Sequence, residues 1–243
     1  MSWRGKSTAG VYQNQKYNVL THSYHTLEWS VIDRIGHLVM TQPPSNKMTV
    51  EFFRDMNLVK KIIPGTPDLK AIILSGKGRH FSSGADLDEL LLKINQHAEA
   101  ETFLQSNYTS LSYFETLQLP VISAIRGVCL GSAMELALFT NYRFCGEDTV
   151  FGLPETTFNL IPGIGGIRRF VNLSGKARAL DYILTGRTFN SETALDLGIV
   201  DMILPKRELL SQAVDFAKWL PERYLPGIRR VYLERYKKVR GER

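Results

Sequence analysis

Apolar positions recur along this chain with two different periods. Residues 27–33 and 37–41 are rich in β-branched and apolar side chains and flank Arg34, Ile35 and Gly36, which predicts a hairpin turning on those three residues. From Thr49 the period lengthens. Phe52, Phe53, Met56, Val59, Ile62 and Ile63 recur mostly at three- and four-residue steps until Pro64 and Gly65, which predicts a helix capped by Thr49. Residues 71–74 are then apolar without a break, as a strand covered on both faces requires. A second buried strand is predicted at 121–125 and a second helical pattern at 133–139. Strand, helix, strand in repeated order predicts an α/β fold with parallel strands and crossover helices.

Beyond Gly175 the pattern is mostly helical. Helices are expected over 177–184, over 192–197 with Ser191 as cap and Gly198 as stop, and over 208–220, with a basic helix at 228–239 and a last short strand at 200–204. Residues 1–26 are polar, contain no acidic side chain, and read as an extension outside the core. The expected organisation is therefore an extension at 1–26, a core at 27–205 and a C-terminal helical region at 206–243.

Composition narrows this picture. A chain of 243 residues that is 44% hydrophobic and 22% charged fits one globular domain with a sizeable core. No apolar run reaches the roughly 18 residues of a membrane span, and residues 1–20 lack the apolar centre of an export signal. An acid-poor start also suits a transit peptide, but Arg4 is the only arginine there. Cys129 and Cys145 each lie in an apolar stretch and read as reduced core thiols, so a cytoplasmic, reducing location is expected. The net charge of +6 would attract an anion, yet the bases are scattered until Arg229, Arg230, Arg235, Lys237, Lys238, Arg240 and Arg243 gather at the end, where a solvated helix face explains them equally well. Neither zinc-finger spacing nor an RNA-binding aromatic signature occurs, so no nucleic-acid partner is expected. His22, His25, His37, His80 and His97 show no metal-ligand spacing, and no metal is expected.

Candidate chemistry lies in two segments, 81–87 (FSSGADL) and 130–136 (LGSAMEL). Gly84 would end a strand-to-helix turn, with Ala85 opening the next helix as a free amide donor, while Ser82, Ser83 and Gly84 are small enough for a ligand to approach the backbone. Gly131 would make the equivalent turn and leave the Ser132 amide at the start of the second helix. Either segment alone is an ordinary tight turn; a matched pair points to two amides converging on one carbonyl oxygen. Glu135 sits in an apolar stretch, where a carboxylate is costly unless it has a partner or a task, although it would also complement the helix N-terminus. Glu155 follows Pro154 before a glycine-rich stretch. Alone it would be an ordinary loop carboxylate; beside Glu135 in one cleft it would complete an acid and base pair.

Residues 80–87, 127–136, 151–155 and 161–166, followed by 184–187 and 194–200, resemble in order the motifs of the crotonase, or enoyl-CoA hydratase/isomerase, superfamily, over about residues 27–204. The resemblance implies a crotonase-like spiral of β-β-α units with a C-terminal helical segment. It implies that Ala85 and Ser132 supply the backbone donors of an oxyanion hole for a thioester, that Glu135 and Glu155 match the two glutamates hydratases use, and that Ser83, Gly84, Asp86, Leu87 and Gly131 line the substrate. The implied activity is hydration of a 2-enoyl-CoA in fatty acid metabolism, with coenzyme A as part of the substrate and no separate cofactor. Many relatives keep only one or neither glutamate, so isomerase, decarboxylase, hydrolase and acyl-CoA-binding scaffold roles stand as alternatives. Relatives commonly form trimers or hexamers, so a homo-oligomer is expected. Three departures stand out: Gly131-Ser132-Ala133 where hydratases usually carry three glycines, Asn159 where glycine is common, and an end at Arg243 before the family's further helices. The last implies a more open pocket, one completed by a neighbouring subunit, or one that takes an acyl-carrier-protein thioester.

Overall fold

The computed structural model describes residues 10–14, 19–95 and 97–241. In chain order its elements are β1 (Gly10–Asn14), β2 (Val19–Ser23), β3 (Leu27–Ile32), β4 (Ile35–Met40), α1 (Val50–Ile62), β5 (Ala71–Gly76), α2 (Leu87–Asn95), α3 (His97–Thr116), β6 (Val121–Ile125), β7 (Val128–Leu130) and α4 (Ser132–Leu138). They continue with β8 (Tyr142–Gly146), β9 (Val150–Gly152), α5 (Gly166–Ser174), α6 (Lys176–Thr185), β10 (Phe189–Asn190), α7 (Ser191–Asp196), β11 (Met202–Leu204), α8 (Leu209–Trp219) and α9 (Arg229–Val239). The main sheet runs β1-β2-β3-β4-β5-β6-β8-β11; its first three pairings are antiparallel and the rest parallel. A smaller sheet orders β10-β9-β7. The α/β expectation, with a parallel-rich sheet and C-terminal helices, is met.

The uninterrupted apolar runs have the cause the sequence suggests. Along β5, Ile72 and Leu74 enter one core while Ala71 and Ile73 enter another; along β6, Val121 and Ile125 divide from Ile122 and Ala124 in the same way. The first core is closed by residues of α1, α3, α4 and α5, the second by α8 and α9. In α9, Tyr232, Leu233 and Tyr236 are buried while Arg230, Arg235 and Lys238 are exposed, so the basic run is the outer face of a packed helix. Cys129 and Cys145 are buried and unpaired, as expected.

Several boundaries move. The hairpin between β3 and β4 turns on Asp33 and Arg34, both with positive φ (50° and 67°), and Ile32 pairs directly with Ile35. Ile35 and Gly36 thus belong to the strand: a two-residue turn with both central residues left-handed matches strand twist, and it keeps Ile35 fully buried. Thr49 caps α1 as expected, its Oγ1 accepting from the Phe52 amide at 3.2 Å. Asn190, rather than Ser191, caps α7: Asn190 Oδ1 accepts from the Thr193 amide at 3.0 Å, and the Ser191 hydroxyl donates instead to the Glu147 carbonyl at 2.6 Å. Helix α3 was not foreseen, because its apolar residues form no sustained stripe.

One buried side chain binds the sheet's edge to the site. Asn46, 1% exposed, places its Nδ2 within 2.9 Å of the Lys77 and His80 carbonyls and 3.1 Å of the Phe81 carbonyl, holding the chain as it leaves β5. Asn46→Ala is expected to destabilise the fold by about 1–3 kcal/mol, because it strands those carbonyls without their donor. Urea unfolding monitored by tryptophan fluorescence measures this.

Candidate active site

Two segments that follow parallel strands meet at the strands' carboxyl ends. Ser82 donates to the Val128 carbonyl (3.0 Å) and accepts from the Leu130 amide (3.3 Å), so residues 82–85 run beside residues 128–132. Gly84 has φ +92°, and a Cβ there would lie 2.5 Å from the Leu130 oxygen and 3.4 Å from the Ser132 nitrogen. Only glycine permits that approach.

The environment of Ala85 differs from the expectation. Helix α2 begins at Leu87 and is capped by Asp86, whose Oδ1 accepts from the Glu89 amide at 3.2 Å. Ala85 lies instead in a short parallel bridge, in which Met48 donates to the Gly84 carbonyl and accepts from the Asp86 amide. Because residues 84 and 86 bond to Met48, the amide of Ala85 points the opposite way. Ser132 is the first residue of α4, after Gly131 with φ +54°, as expected. Neither the Ala85 nor the Ser132 amide donates to an acceptor among the described residues.

Ala85 and Ser132 both line a cavity of about 710 Å³. Ser83, Ala85, Asp86, Leu87, Gly131, Ser132, Glu135 and Glu155 all line it, while Gly84 lies behind the wall as the contact between the two segments. Apolar side chains from α1, α2 and α3, among them Phe53, Leu90, Phe103 and Leu104, form another wall, and residues 158–164 a further one.

Glu135 is fully buried. Its Oε1 accepts from the Ile164 amide at 2.9 Å and the Gly166 amide at 2.8 Å, and its Oε2 is buried with no hydrogen-bond partner. Burial raises the affinity of this carboxyl for its proton, against the opposing pull of the two amides and of Arg169. The space is tight, since a Cβ on Gly166 would lie 2.6 Å from Glu135 Cγ. The amides of Ile164 and Gly166 were not anticipated as partners; the only signal was the glycine-rich stretch at 163–166.

Glu155 stands on a 3-10 turn, Pro154–Phe158, that ends at Asn159 in the left-handed conformation (φ 58°, ψ 29°), a geometry asparagine tolerates. Its Oε2 is also buried without a partner, and its Oε1 would lie 3.1 Å from a Cβ on Gly131. Burial first, and then the charge of Glu135, push its pKa from an ordinary 4.5 up to about 7. Two carboxyls, each with one uncommitted oxygen, thus border the same cavity as two uncommitted amides.

Among the described residues, no group of three or more histidines, cysteines, aspartates or glutamates is arranged to hold a metal ion, and no helix is long and apolar enough to cross a membrane.

A sequence model described as enoyl-CoA hydratase/isomerase matches residues 33–229, and the chain belongs to that family. Among solved structures, an enoyl-CoA hydratase from Geobacillus kaustophilus HTA426 superposes with a TM-score of 0.80 at 26% identity, over 88% of this chain and 81% of that one. An enoyl-CoA hydratase from Bacillus anthracis gives 0.71 at 29% identity, over 83% and 75%. An enoyl-CoA hydratase from Thermoplasma volcanium GSS1, at 24% identity and a TM-score of 0.77 over 87% and 85%, shares the fold. The architecture is the crotonase fold implied by the motifs.

The electrostatic coupling of the two glutamates has a measurable sign. Glu135→Gln removes a neighbouring negative charge, so the Glu155 carboxyl is expected to titrate below about 7, as read by carbon-detected NMR. In the wild type Glu155 binds its proton more tightly folded than unfolded, so the stability it contributes is complete below about pH 4.5 and is lost as pH rises through about 7. Glu155→Gln does not titrate and is expected to gain about 3 kcal/mol on the wild type between pH 4 and pH 8. Denaturant titrations at pH 4 and pH 8 give the difference.

Proposed function

We propose that this chain hydrates 2-enoyl-CoA thioesters, with the amides of Ala85 and Ser132 as oxyanion hole and Glu135 and Glu155 as acid and base. The observation that carries this reading is that Glu135 and Glu155, each with a buried Oε2 that has no partner, line the same cavity as Ala85 and Ser132, whose amides are unbonded. A buried carboxyl oxygen without a partner is costly, and a reacting water is the group that would use both.

In this mechanism the thioester oxygen accepts from Ala85 and Ser132. Water adds to the β-carbon as the ionised carboxylate takes its proton, and the C2–C3 π electrons move through the α-carbon onto the thioester oxygen. The protonated carboxyl then gives its proton to the α-carbon, so that one water is added across the double bond. The elevated proton affinity of the pair supports one ionised and one protonated member near neutral pH. Each amide facing the developing negative charge contributes about 2.7–4 kcal/mol in comparable sites. The same proposal takes coenzyme A as part of the substrate and no separate cofactor, and an oligomer built of trimers.

Glu135→Gln and Glu155→Gln are each expected to lower kcat for hydration by about 10²- to 10⁴-fold with little change in KM, followed as loss of the conjugated thioester's absorbance. Undiminished hydration by the Glu135 variant would sink the reading. A wild-type protein that shifts the double bond of 3-enoyl-CoA but adds no water to the 2-enoyl isomer would replace hydration by isomerisation.

A further inference from the structure

The acyl part of the cavity contains a polar group that the hydration chemistry does not use. Asn107, on α3, is 3% exposed, lines the cavity, and its carboxamide forms no hydrogen bond to any described residue. Its neighbours one turn away are Phe103, Leu104, Ser110 and Leu111. The Ser110 hydroxyl is already engaged by Asn57 Oδ1 and the Ser106 carbonyl, and Leu111 is part of the core. Because Asn107 lines the cavity, a plain alkyl chain that fills it shuts the carboxamide off from water with no partner, at a cost of about 1–3 kcal/mol.

The lining also restricts the charge of whatever meets Asn107. Asp86, Glu89, Glu135 and Glu155 border the cavity, and no lysine, arginine or histidine does so among the described residues. Asp86 is paired with Lys47, but a carboxylate on the acyl chain would still lie beside Glu89, Glu135 and Glu155 with no cation among the lining residues to receive it. A carboxamide both donates and accepts, so its neutral complements are a hydroxyl or a carbonyl.

We propose that the acyl chain taken by this site is uncharged and carries, beyond the reacting carbons, a hydroxyl or oxo group that pairs with the Asn107 carboxamide. This rests on the reading of the cavity as an acyl-thioester site. Asn107 is then a specificity determinant: plain alkyl chains leave its amide unpaired, and oxygenated chains satisfy it.

The test compares octanoyl-CoA with the positional isomers of hydroxyoctanoyl-CoA and oxo-octanoyl-CoA substituted beyond the third carbon, all non-reactive, by calorimetry. At least one oxygenated isomer is expected to bind the wild type roughly tenfold more tightly than octanoyl-CoA. Asn107→Leu is expected to abolish that advantage while still binding octanoyl-CoA, which shows that it folds; Asn107→Ser, which keeps a hydroxyl, should retain part of it. Equal affinity of the wild type for every chain would overturn the proposal, as would an advantage that survives Asn107→Leu. So would an equal loss of affinity for all chains in Asn107→Leu, which would mark a general packing role. In these three outcomes thioesters still bind, and the hydration reading stands. Failure of every thioester to bind the wild type overturns both.

Discussion

The hydrogen bonds that Ser82 makes to residues 128 and 130 are the constraint on which the rest of the site depends. They join a loop leaving β5 to a short strand following β6, and so bring together two stretches nearly fifty positions apart in the chain. With that pairing in place, Gly84 packs on Leu130 and Ser132, and Ala85 and Ser132 come to line one cavity. The pairing is itself supported from beneath by β5 and β6, adjacent parallel strands buried on both faces. Ligand sites of parallel α/β sheets lie outside the carboxyl ends of strands for this reason: the loops there diverge from a rigid ladder and leave backbone groups free.

The second half of the site answers a different problem, how to keep a carboxyl in an apolar core. Glu135 is surrounded by buried residues of α4, and its charge is tolerated because two amides, those of Ile164 and Gly166, turn toward one oxygen. That arrangement leaves the other oxygen free and fixes its position, which is the condition for a general acid or base to act without reorganisation. Glu155 reaches the same cavity from a turn held by Asn159, where burial and then the charge of Glu135 raise its proton affinity, while burial raises that of Glu135. Arg169 tempers this effect at Glu135 while itself bound to Glu115 and stacked on Phe139. The desolvation that raises the proton affinity of the two carboxyls is also what makes their charged forms costly to folding.

Much of the fold was legible locally, because strands buried on both faces must be apolar throughout and helices over a core must repeat at three and four. That logic located β5, β6, α1 and α8 and the Thr49 cap. It misplaced the β3–β4 turn by one or two residues, since both Asp33-Arg34 and Arg34-Ile35-Gly36 satisfy a turn's composition and only the pairing of Ile32 with Ile35 decides between them. It exchanged Asn190 for Ser191 as a cap because both side chains are competent, and Ser191 is drawn away by a carbonyl 44 positions earlier in the chain. It passed over α3, whose inner face borders the cavity through Asn107 and the core at Leu111 and Phe114, so that Asn107 interrupts the expected stripe.

By itself the sequence determined the α/β class, the two small-residue segments, and the oddity of Glu135 in an apolar helix, because each is written in neighbouring residues. Only the tertiary structure decided that Ala85 offers its amide from a strand-like bridge and not from a helix end. It alone revealed that Glu135 is anchored by residues 164 and 166, and that Asn46 and Asn107 are buried with opposite fates, one bonded to three carbonyls and one to nothing described. The reason is physical: propensity and periodicity act over a few residues, whereas the partners of a buried polar group are chosen by whichever distant segments the packing of the sheet brings within hydrogen-bonding distance.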